Sequence, residues 1–344
     1  MGTYPFQDRP PLVAVTREGM YCAAGDFHID PWRPVERALI THAHGDHART
    51  GHQRYLAAEP GLPLLRKRLG DVALQTLPYG ERLDIHGVTV SFHSAGHVLG
   101  SAQLRLEHRG EVWVVSGDYK RTPDPTCAPF EVVRCDTFIT EATFGLPIYR
   151  WDDPCLVAKD ILAWWEGNRA QGKASVLFCY ALGKAQRILA HLGELSDGYA
   201  YLHGAVDALV AAYREAGVPL LRTQRVSEAD KANTFHGALV LAPPSAGGST
   251  WMRRFGEYET GFASGWMRVR GNRRRRGFDR GFVLSDHADW PELLQTGHET
   301  GASRVLVTHG SSEQLARYLK EKGVDAAPLA TPFGQSHGDG EAED

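Results

Sequence analysis

The sequence has few of the features that mark exported or membrane-bound proteins. It holds five cysteines among 344 residues, an odd number without any CxxC pair, so it indicates neither a disulfide framework nor a thiolate zinc site. No apolar run approaches the roughly 18 to 20 residues that span a bilayer. The N-terminus also lacks a basic segment followed by an apolar core. We therefore expect a cytoplasmic protein with no membrane partner.

A strong net charge is also missing, because the formal charge is only -3. The distribution is nevertheless uneven, with arginines crowded between Arg253 and Arg280 and an acidic tail, GDGEAED. Four arginines are consecutive, namely Arg273, Arg274, Arg275 and Arg276. Opposite a polyanion such a cluster releases counterions, and arginine also stacks on bases. A solvated loop is the alternative to a nucleic-acid contact.

Two kinds of sequence alternate along the chain. Residues 1–150 and 281–334 consist largely of short apolar or β-branched runs separated by Gly, Pro and Asp, whereas residues 151–280 alternate strand and helix patterns, as in ASVLFCYALG followed by GKAQRILAHLG. We predict an α/β protein in which a first domain is interrupted by a second and then resumes. Residues 335–344 form an acidic tail that we expect to be disordered.

The stretch THAHGDHA, at residues 41–48, carries the strongest motif. His42 and His44 are two positions apart, so on an extended strand end their imidazoles point the same way, and Asp46 and His47 follow in a turn. Neutral imidazole and carboxylate suit zinc, and manganese or iron to a lesser degree. The motif HxHxDH therefore predicts a metal site.

Further donors follow other predicted strands. His97, Asp118 and His309 each end an apolar run and precede a glycine-containing turn. Taken alone, each is a capping or surface residue. Taken with HxHxDH, they predict that separate segments bring ligands together at one edge of a sheet.

These segments resemble a known family. HxHxDH, GHVLGSA and SGD resemble the metallo-β-lactamase fold, and GHVLGSA with TEATFG and SDHAD resembles its β-CASP nuclease branch. More narrowly, DFHIDPWRPVERALITHAHGDHA, APPSAGGSTWMRRF and FASGWMRVRG are similar to bacterial ligase-associated DNA exonucleases. The resemblance implies a metallo-β-lactamase αββα sandwich interrupted by an α/β β-CASP cap.

The resemblance also implies a set of ligands for two zinc ions. It assigns one ion to His42, His44 and His97, the other to Asp46, His47 and His309, and the bridge between them to Asp118. Asp30 would orient ligands by hydrogen bonds without binding metal. From the residues alone, Asp30 is a turn residue before Pro31.

Catalytic roles follow from the same resemblance. Asp46 and Asp118 belong to the catalytic set, and Glu141 hydrogen-bonds His287, whose imidazolium protonates the leaving oxygen. Without the family, Glu141 is an acid at a strand end and His287 a residue at a helix N-terminus.

Two glycine-containing turns are candidate phosphate contacts. YALGKAQRIL places Lys184 at the start of a predicted helix, where backbone N–H groups and the helix dipole favour an anion. APPSAGGST offers the hydroxyl of Ser245 after another strand. Such turns are common in α/β proteins.

The combined expectation is a two-zinc DNA exonuclease of DNA repair that prefers a 5′-phosphorylated single strand, with manganese or iron as alternative metals. Nucleic acid is its expected partner, and the resemblance adds an ATP-dependent DNA ligase and other repair proteins. An RNA exonuclease or endonuclease is the first alternative, because RNA-processing relatives carry a histidine at the position of His309. A catalytically silent scaffold subunit is the second.

Overall fold

A computed structural model describes residues 10–229, 235–269 and 277–331. Its first sheet has the order β1-β2-β3-β4-β5-β6. The strands are β1 (Ala14–Val15), β2 (Met20–Cys22), β3 (Phe27–Ile29), β4 (Arg37–Ile40), β5 (Arg54–Ala58) and β6 (Leu74–Leu77). The first three are antiparallel, and β3 to β6 are parallel.

The second sheet is mixed. Its strands are β7 (Arg82–Ile85), β8 (Val88–Ser94), β9 (Ala102–His108), β10 (Glu111–Val115), β11 (Thr137–Glu141), β18 (Arg304–Thr308) and β19 (Asp325–Pro328). Their order is β19-β18-β11-β10-β9-β8-β7. Strands β10, β11, β18 and β19 are parallel, so their carboxyl ends share one edge.

The third sheet is parallel throughout. Its strands are β12 (Ala174–Phe178), β13 (Tyr199–Leu202), β14 (Arg222–Arg225), β15 (Leu239–Ala242), β16 (Tyr258–Ala263) and β17 (Arg280–Phe282), in the order β14-β13-β15-β12-β16-β17. Strand β17 lies across the expected domain boundary at residue 281, because it pairs with β16.

Helices cover the outer faces of the sheets. They are α1 (Leu62–Leu69), α2 (Pro154–Ala170), α3 (Lys184–Leu195), α4 (Gly204–Glu215), α5 (Trp290–Glu299) and α6 (Ser312–Glu321). Local signals define their starts: Asp153 accepts a hydrogen bond from the Cys155 N–H at the start of α2, and Asp289 forms a capping box with Glu292 at the start of α5.

Alternating side chains show how the first two sheets pack. Leu39 and Ile139 enter the core between the sheets, whereas their strand neighbours Ile40 and Phe138 face the outer helices. Helix α1 packs on the first sheet, and α5 and α6 pack on the second. The predicted αββα sandwich with an inserted α/β unit is thus confirmed.

Two expectations lie outside the described residues, namely those for Arg273–Arg276 and for the tail at 335–344. Among the described helices, none is both long and apolar enough to cross a bilayer.

Candidate metal centre

The candidate site lies where loops leave the carboxyl ends of parallel strands. Asp30 follows β3 and the HAHGDH motif follows β4, while Asp118 follows β10 and His309 follows β18. Glu141 is the last residue of β11. Because these ends meet along one edge of the sandwich, residues almost 280 positions apart in the chain come together.

A compact cluster contains three histidines and one aspartate. The Nδ1 atom of His44 lies 3.0 Å from His42 Nε2 and 3.1 Å from His97 Nε2. One Asp118 oxygen lies 3.5 Å from His42 Nε2 and 3.9 Å from His97 Nε2. All four donor atoms lie within 4.8 Å of one another.

Oxygen partners fix the tautomer of each ring. Thr41 donates its hydroxyl proton to Asp30 at 2.6 Å, so the hydroxyl oxygen accepts from His42 Nδ1 at 3.0 Å. His44 Nε2 donates to the Leu182 carbonyl at 3.3 Å, and His97 Nδ1 donates to the carbonyl of Asp286 at 2.8 Å. The nitrogens that face each other therefore all present lone pairs.

Lone pairs only 3 Å apart repel one another unless a cation lies between them. A zinc ion with Zn–N bonds of roughly 2.0–2.1 Å in a tetrahedral site brings its nitrogens to roughly 3.3 Å, close to the spacing found here. Burial lowers the pKa of both His42 and His97 well below the ordinary value, which keeps these imidazoles neutral. The donor set therefore fits a divalent metal.

A second set of donors lies beside the first. His47 Nδ1 donates to Asp30 at 2.7 Å, which turns His47 Nε2 towards Asp118 at 3.5 Å and Asp46 at 3.7 Å. That nitrogen is buried and makes no hydrogen bond within the described residues. The rings of His47 and His309 stack with centroids 5.5 Å apart.

This second set offers imidazole and carboxylate donors for a cation. The carboxylates around this buried imidazole concentrate negative charge that a metal cation, or a proton on His47 Nε2, balances. Burial opposes charge on His47, but the carboxylates of Asp46, Asp118 and Asp30 outweigh it and raise the pKa of His47 well above the ordinary value. Asp118 reaches both sets, as a bridging ligand must.

A glycine permits the close approach that holds Thr41 in place. Gly117 has φ +56°, and a Cβ there would lie 2.7 Å from the Cβ of Thr41. Any larger residue would displace Thr41, and with it the hydrogen bonds to His42 and Asp30.

A carboxylate and a histidine form a separate buried pair beside the cluster. His287 Nδ1 donates to Glu141 at 2.9 Å, and the ring lies 4.6 Å from that of His97. Although burial works against the charge, the Glu141 carboxylate raises the pKa of His287 to about 10. Glu141 also accepts from the Tyr119 N–H at 2.7 Å, which orients the carboxylate.

Lys184 lies in a different environment from the one expected of it. Its side chain is fully buried, and Nζ donates to Asp286 at 2.5 Å. In this arrangement the ammonium faces Asp286 and not solvent. Burial explains the difference, because a buried ammonium is retained only beside a partner charge.

Sequence reasoning missed this support for the metal ligands. Arg187, one turn after Lys184, pairs with buried Asp124 and donates to the carbonyls of Ser285 at 3.0 Å and His97 at 3.1 Å. Two sequence signals bear on these contacts. Lys184 and Arg187 in KAQR are three positions apart, so they lie on one helix face, and Asp286 in SDHAD directly precedes His287. Neither signal identifies its partner. Ser245 is exposed in the short 3-10 helix Pro244–Ala246, which follows β15.

Comparisons with known proteins find similarity to proteins named as a DNA ligase and as a ribonuclease. The chain is 32% identical over 312 residues to a protein of Opitutus terrae named "Probable DNA ligase", covering 90% of this chain and 30% of that protein. It is 27% identical over 195 residues to Ribonuclease TTHA0252 of Thermus thermophilus, covering 47% of this chain and 44% of the ribonuclease. The chain thus spans less than half the length of either relative. No family model matches it.

One solved structure shares the fold. A protein of unknown function from Enterococcus faecalis matches with a TM-score of 0.57 at 10% identity, covering 87% of this chain and 80% of that one. At this identity the match supports the architecture alone.

Proposed function

Starting from homology to the β-CASP nucleases of the metallo-β-lactamase fold, we propose that this chain is a two-metal phosphodiesterase that degrades single-stranded DNA from a 5′-phosphorylated end. The observation that carries the proposal is the convergence of three imidazole lone pairs on one point beside Asp118. A hydrolase without a metal has no use for such an arrangement.

The chain supplies two sets of ligands. His42, His44 and His97 would hold one ion, and Asp46, His47 and His309 the other, with Asp118 between them. Zinc suits these donors best, and manganese or iron are the alternatives. When bound, such ions polarise phosphoryl oxygens and lower the pKa of water, which is the chemistry that phosphodiester hydrolysis needs.

His287 completes the reaction as the acid. Water attacks phosphorus, the P–O3′ bond breaks, and the departing 3′ oxygen takes a proton from the imidazolium of His287. The negative charge of Glu141, 2.9 Å from Nδ1, keeps that imidazolium charged at neutral pH and fixes the ring. The products are a released nucleotide and a shortened strand that both carry a 5′ phosphate.

The choice of DNA rests on the match that covers 90% of this chain. The Opitutus terrae protein that matches 90% of this chain is named a probable DNA ligase. Trimming that leaves 5′ phosphates makes ends that a ligase can join, so we propose a DNA ligase as a functional partner. Exposed Ser245 remains a candidate contact for the terminal phosphate.

A paired substrate test addresses the polarity. Matched single-stranded DNAs that differ only in a 5′ phosphate or a 5′ hydroxyl are digested, and products are mapped from both labelled ends. We expect faster release of nucleotides from the 5′-phosphorylated strand. Equal rates on both strands would reject the preference for a 5′ phosphate but leave the phosphodiesterase intact.

RNA cleavage is the second candidate. Relatives with matches over part of the chain are named ribonucleases or endoribonucleases. His309 also matches the residue type of RNA-processing relatives at this position. Turnover of RNA and DNA strands of one sequence decides the case: DNA cleaved at least tenfold faster supports the first proposal, and the reverse ratio supports the second.

A further inference from the structure

The parallel third sheet directs six loops to one edge. At one end of this edge, the loop after β12 brings the Leu182 carbonyl to His44, and the loop after β17 carries His287. At the other end, β13, β14 and β15 end at Leu202, Arg225 and Ala242. In the sheet order, β13 is two positions from β12, roughly 10 Å at ordinary strand spacing.

A cluster of cationic and aromatic side chains occupies this distant end. We call His203, Arg225, Trp251 and Arg254 the edge patch. Trp251 lies in the 3-10 helix Thr250–Phe255, with its ring 4.9 Å from that of His203 and 5.7 Å from the Arg254 guanidinium. Arg225 lies over Gly204, where an added Cβ would be 2.7 Å from its Nη2. The two arginines are exposed, and the two rings are half-buried.

The patch gathers positive charge. No carboxylate of the described residues lies within 4.0 Å of either guanidinium. Arg225 sits at the N-terminus of α4, the positive end of the helix dipole, where a cation is unfavourable. Asp207 in the first turn makes no ion pair with either arginine. Burial lowers the pKa of His203, and Arg254 and Arg225 lower it further.

We propose that the edge patch binds the substrate strand away from the cleavage point, with Arg225 and Arg254 on backbone phosphates and Trp251 stacked on a base. This rests on the proposed function and adds to it a binding site some 10 Å or more along the sheet edge from the metal centre. Anionic phosphates balance the positive charges of the two arginines, and an aromatic face in the same patch accepts any base. The occupant that best matches both features is a single strand.

The third sheet supplies a matched control. Arg222 and Arg225 are both exposed on β14, but Arg222 lies at the amino end, where it donates to the carbonyl of Asp197. Arg222→Gln removes the same charge from the same strand at the opposite edge. The test compares it with Arg225→Gln, Arg254→Gln and Trp251→Leu, each in a slow His287→Gln background, with melting curves to verify folding.

Binding of a 5′-phosphorylated, fluorescein-labelled dT12 is measured by anisotropy between 50 and 300 mM salt, with dT3 as the short comparison. Each edge-patch arginine variant should weaken dT12 binding about tenfold and reduce the slope of log K against log salt by about 0.7. Trp251→Leu should weaken it about 5- to 100-fold with the slope retained, because stacking releases no counterions. Arg222→Gln should match the parent protein.

The outcomes separate the two proposals. Cleavage is measured with the unmodified chain, and binding is measured in the His287→Gln background. If the unmodified chain cleaves DNA while Arg225→Gln and Arg254→Gln keep the affinity and slope of Arg222→Gln, the edge patch is rejected and the nuclease stands. An unmodified chain that neither binds nor cleaves either oligonucleotide overturns both the edge patch and the proposed nuclease function. A loss confined to dT12, with dT3 unaffected, supports a strand contact remote from the metal centre.

Discussion

At the scale of single residues, the site depends on which nitrogen of each histidine carries a proton. Thr41, Leu182 and Asp286 supply the oxygens that leave His42, His44 and His97 with lone pairs facing one point. The sequence predicted these three histidines because HxHxDH and GHVLGSA place donors at strand ends. It could not predict Leu182 or Asp286 as their partners, since both contacts depend on packing of the inserted unit and involve backbone carbonyls that any residue has.

Replacing His287 separates acid catalysis from metal binding. His287→Gln keeps a polar side chain beside Glu141 but removes the acidic proton, so we expect cleavage to slow by about 100-fold or more. Metal content should stay at the parental level, because the proposed ligand set does not include His287.

Elemental analysis of the same preparation provides the check. His287 also lies near His97 and Asp286 with donor atoms within 4.8 Å, a group that can hold a metal. Loss of one ion in His287→Gln would show that this histidine is a ligand and that another group is the acid.

At the scale of elements, helix α3 links the inserted unit to the metal ligands. Lys184 pairs with Asp286, whose carbonyl holds His97, and Arg187 donates directly to the carbonyl of His97. The helical pattern of GKAQRILAHLG predicted the element correctly. The sequence also made Lys184 a candidate phosphate contact. Its pairing with Asp286 could not be predicted, because sequence periodicity does not show which polar residues of a helix find a buried counter-charge on another segment.

Replacing Lys184 leaves the buried carboxylate of Asp286 without its counter-charge. We expect Lys184→Met to lower the free energy of unfolding by about 3–5 kcal/mol. The exposed pair Arg317–Glu321 on α6 provides the control, since Arg317→Met should change stability by less than about 0.5 kcal/mol. Denaturant unfolding of the two variants measures this difference in stability. Equally small effects of the two substitutions would contradict the claim that Lys184 and Asp286 form a buried pair on which stability depends.

The loop between β4 and β5 carries a pH-dependent contribution to stability. His52 is buried and accepts from the Val35 N–H at 3.3 Å, and burial, aided by His28 and Arg49, lowers its pKa to about 4. In the unfolded chain its pKa is about 6.5. As the pH falls below 6.5, protonation therefore favours the unfolded state, and the loss levels off below about 4.

A variant isolates this contribution from the other titrating groups. His52→Asn keeps an acceptor near Nδ1 but does not titrate, so its melting temperature should fall less between pH 6.5 and pH 4 than that of the parent. Identical pH profiles of melting temperature would show that His52 makes no such contribution.

At the scale of the whole molecule, the sandwich and the inserted unit share one site. The sandwich supplies the donors from β4, β8, β10 and β18, and the inserted unit supplies the carbonyl that holds His44, while His287 lies in the segment that leads from β17 back to the sandwich helix α5. The change from short strand-like runs to alternating strand and helix patterns near residue 150 predicted the insertion. The strand β17 could not be assigned from its three residues, because only pairing with β16 distinguishes it from a loop.

The most direct test of the account is the metal content of the purified chain, measured with cleavage of single-stranded DNA. The parent should hold about two divalent ions per chain. Asp118→Asn should lose metal and cleavage together, whereas His93→Gln, on the strand that leads to His97, should retain both. A parent that binds no zinc, manganese or iron, or an Asp118→Asn variant with full metal and activity, would contradict it.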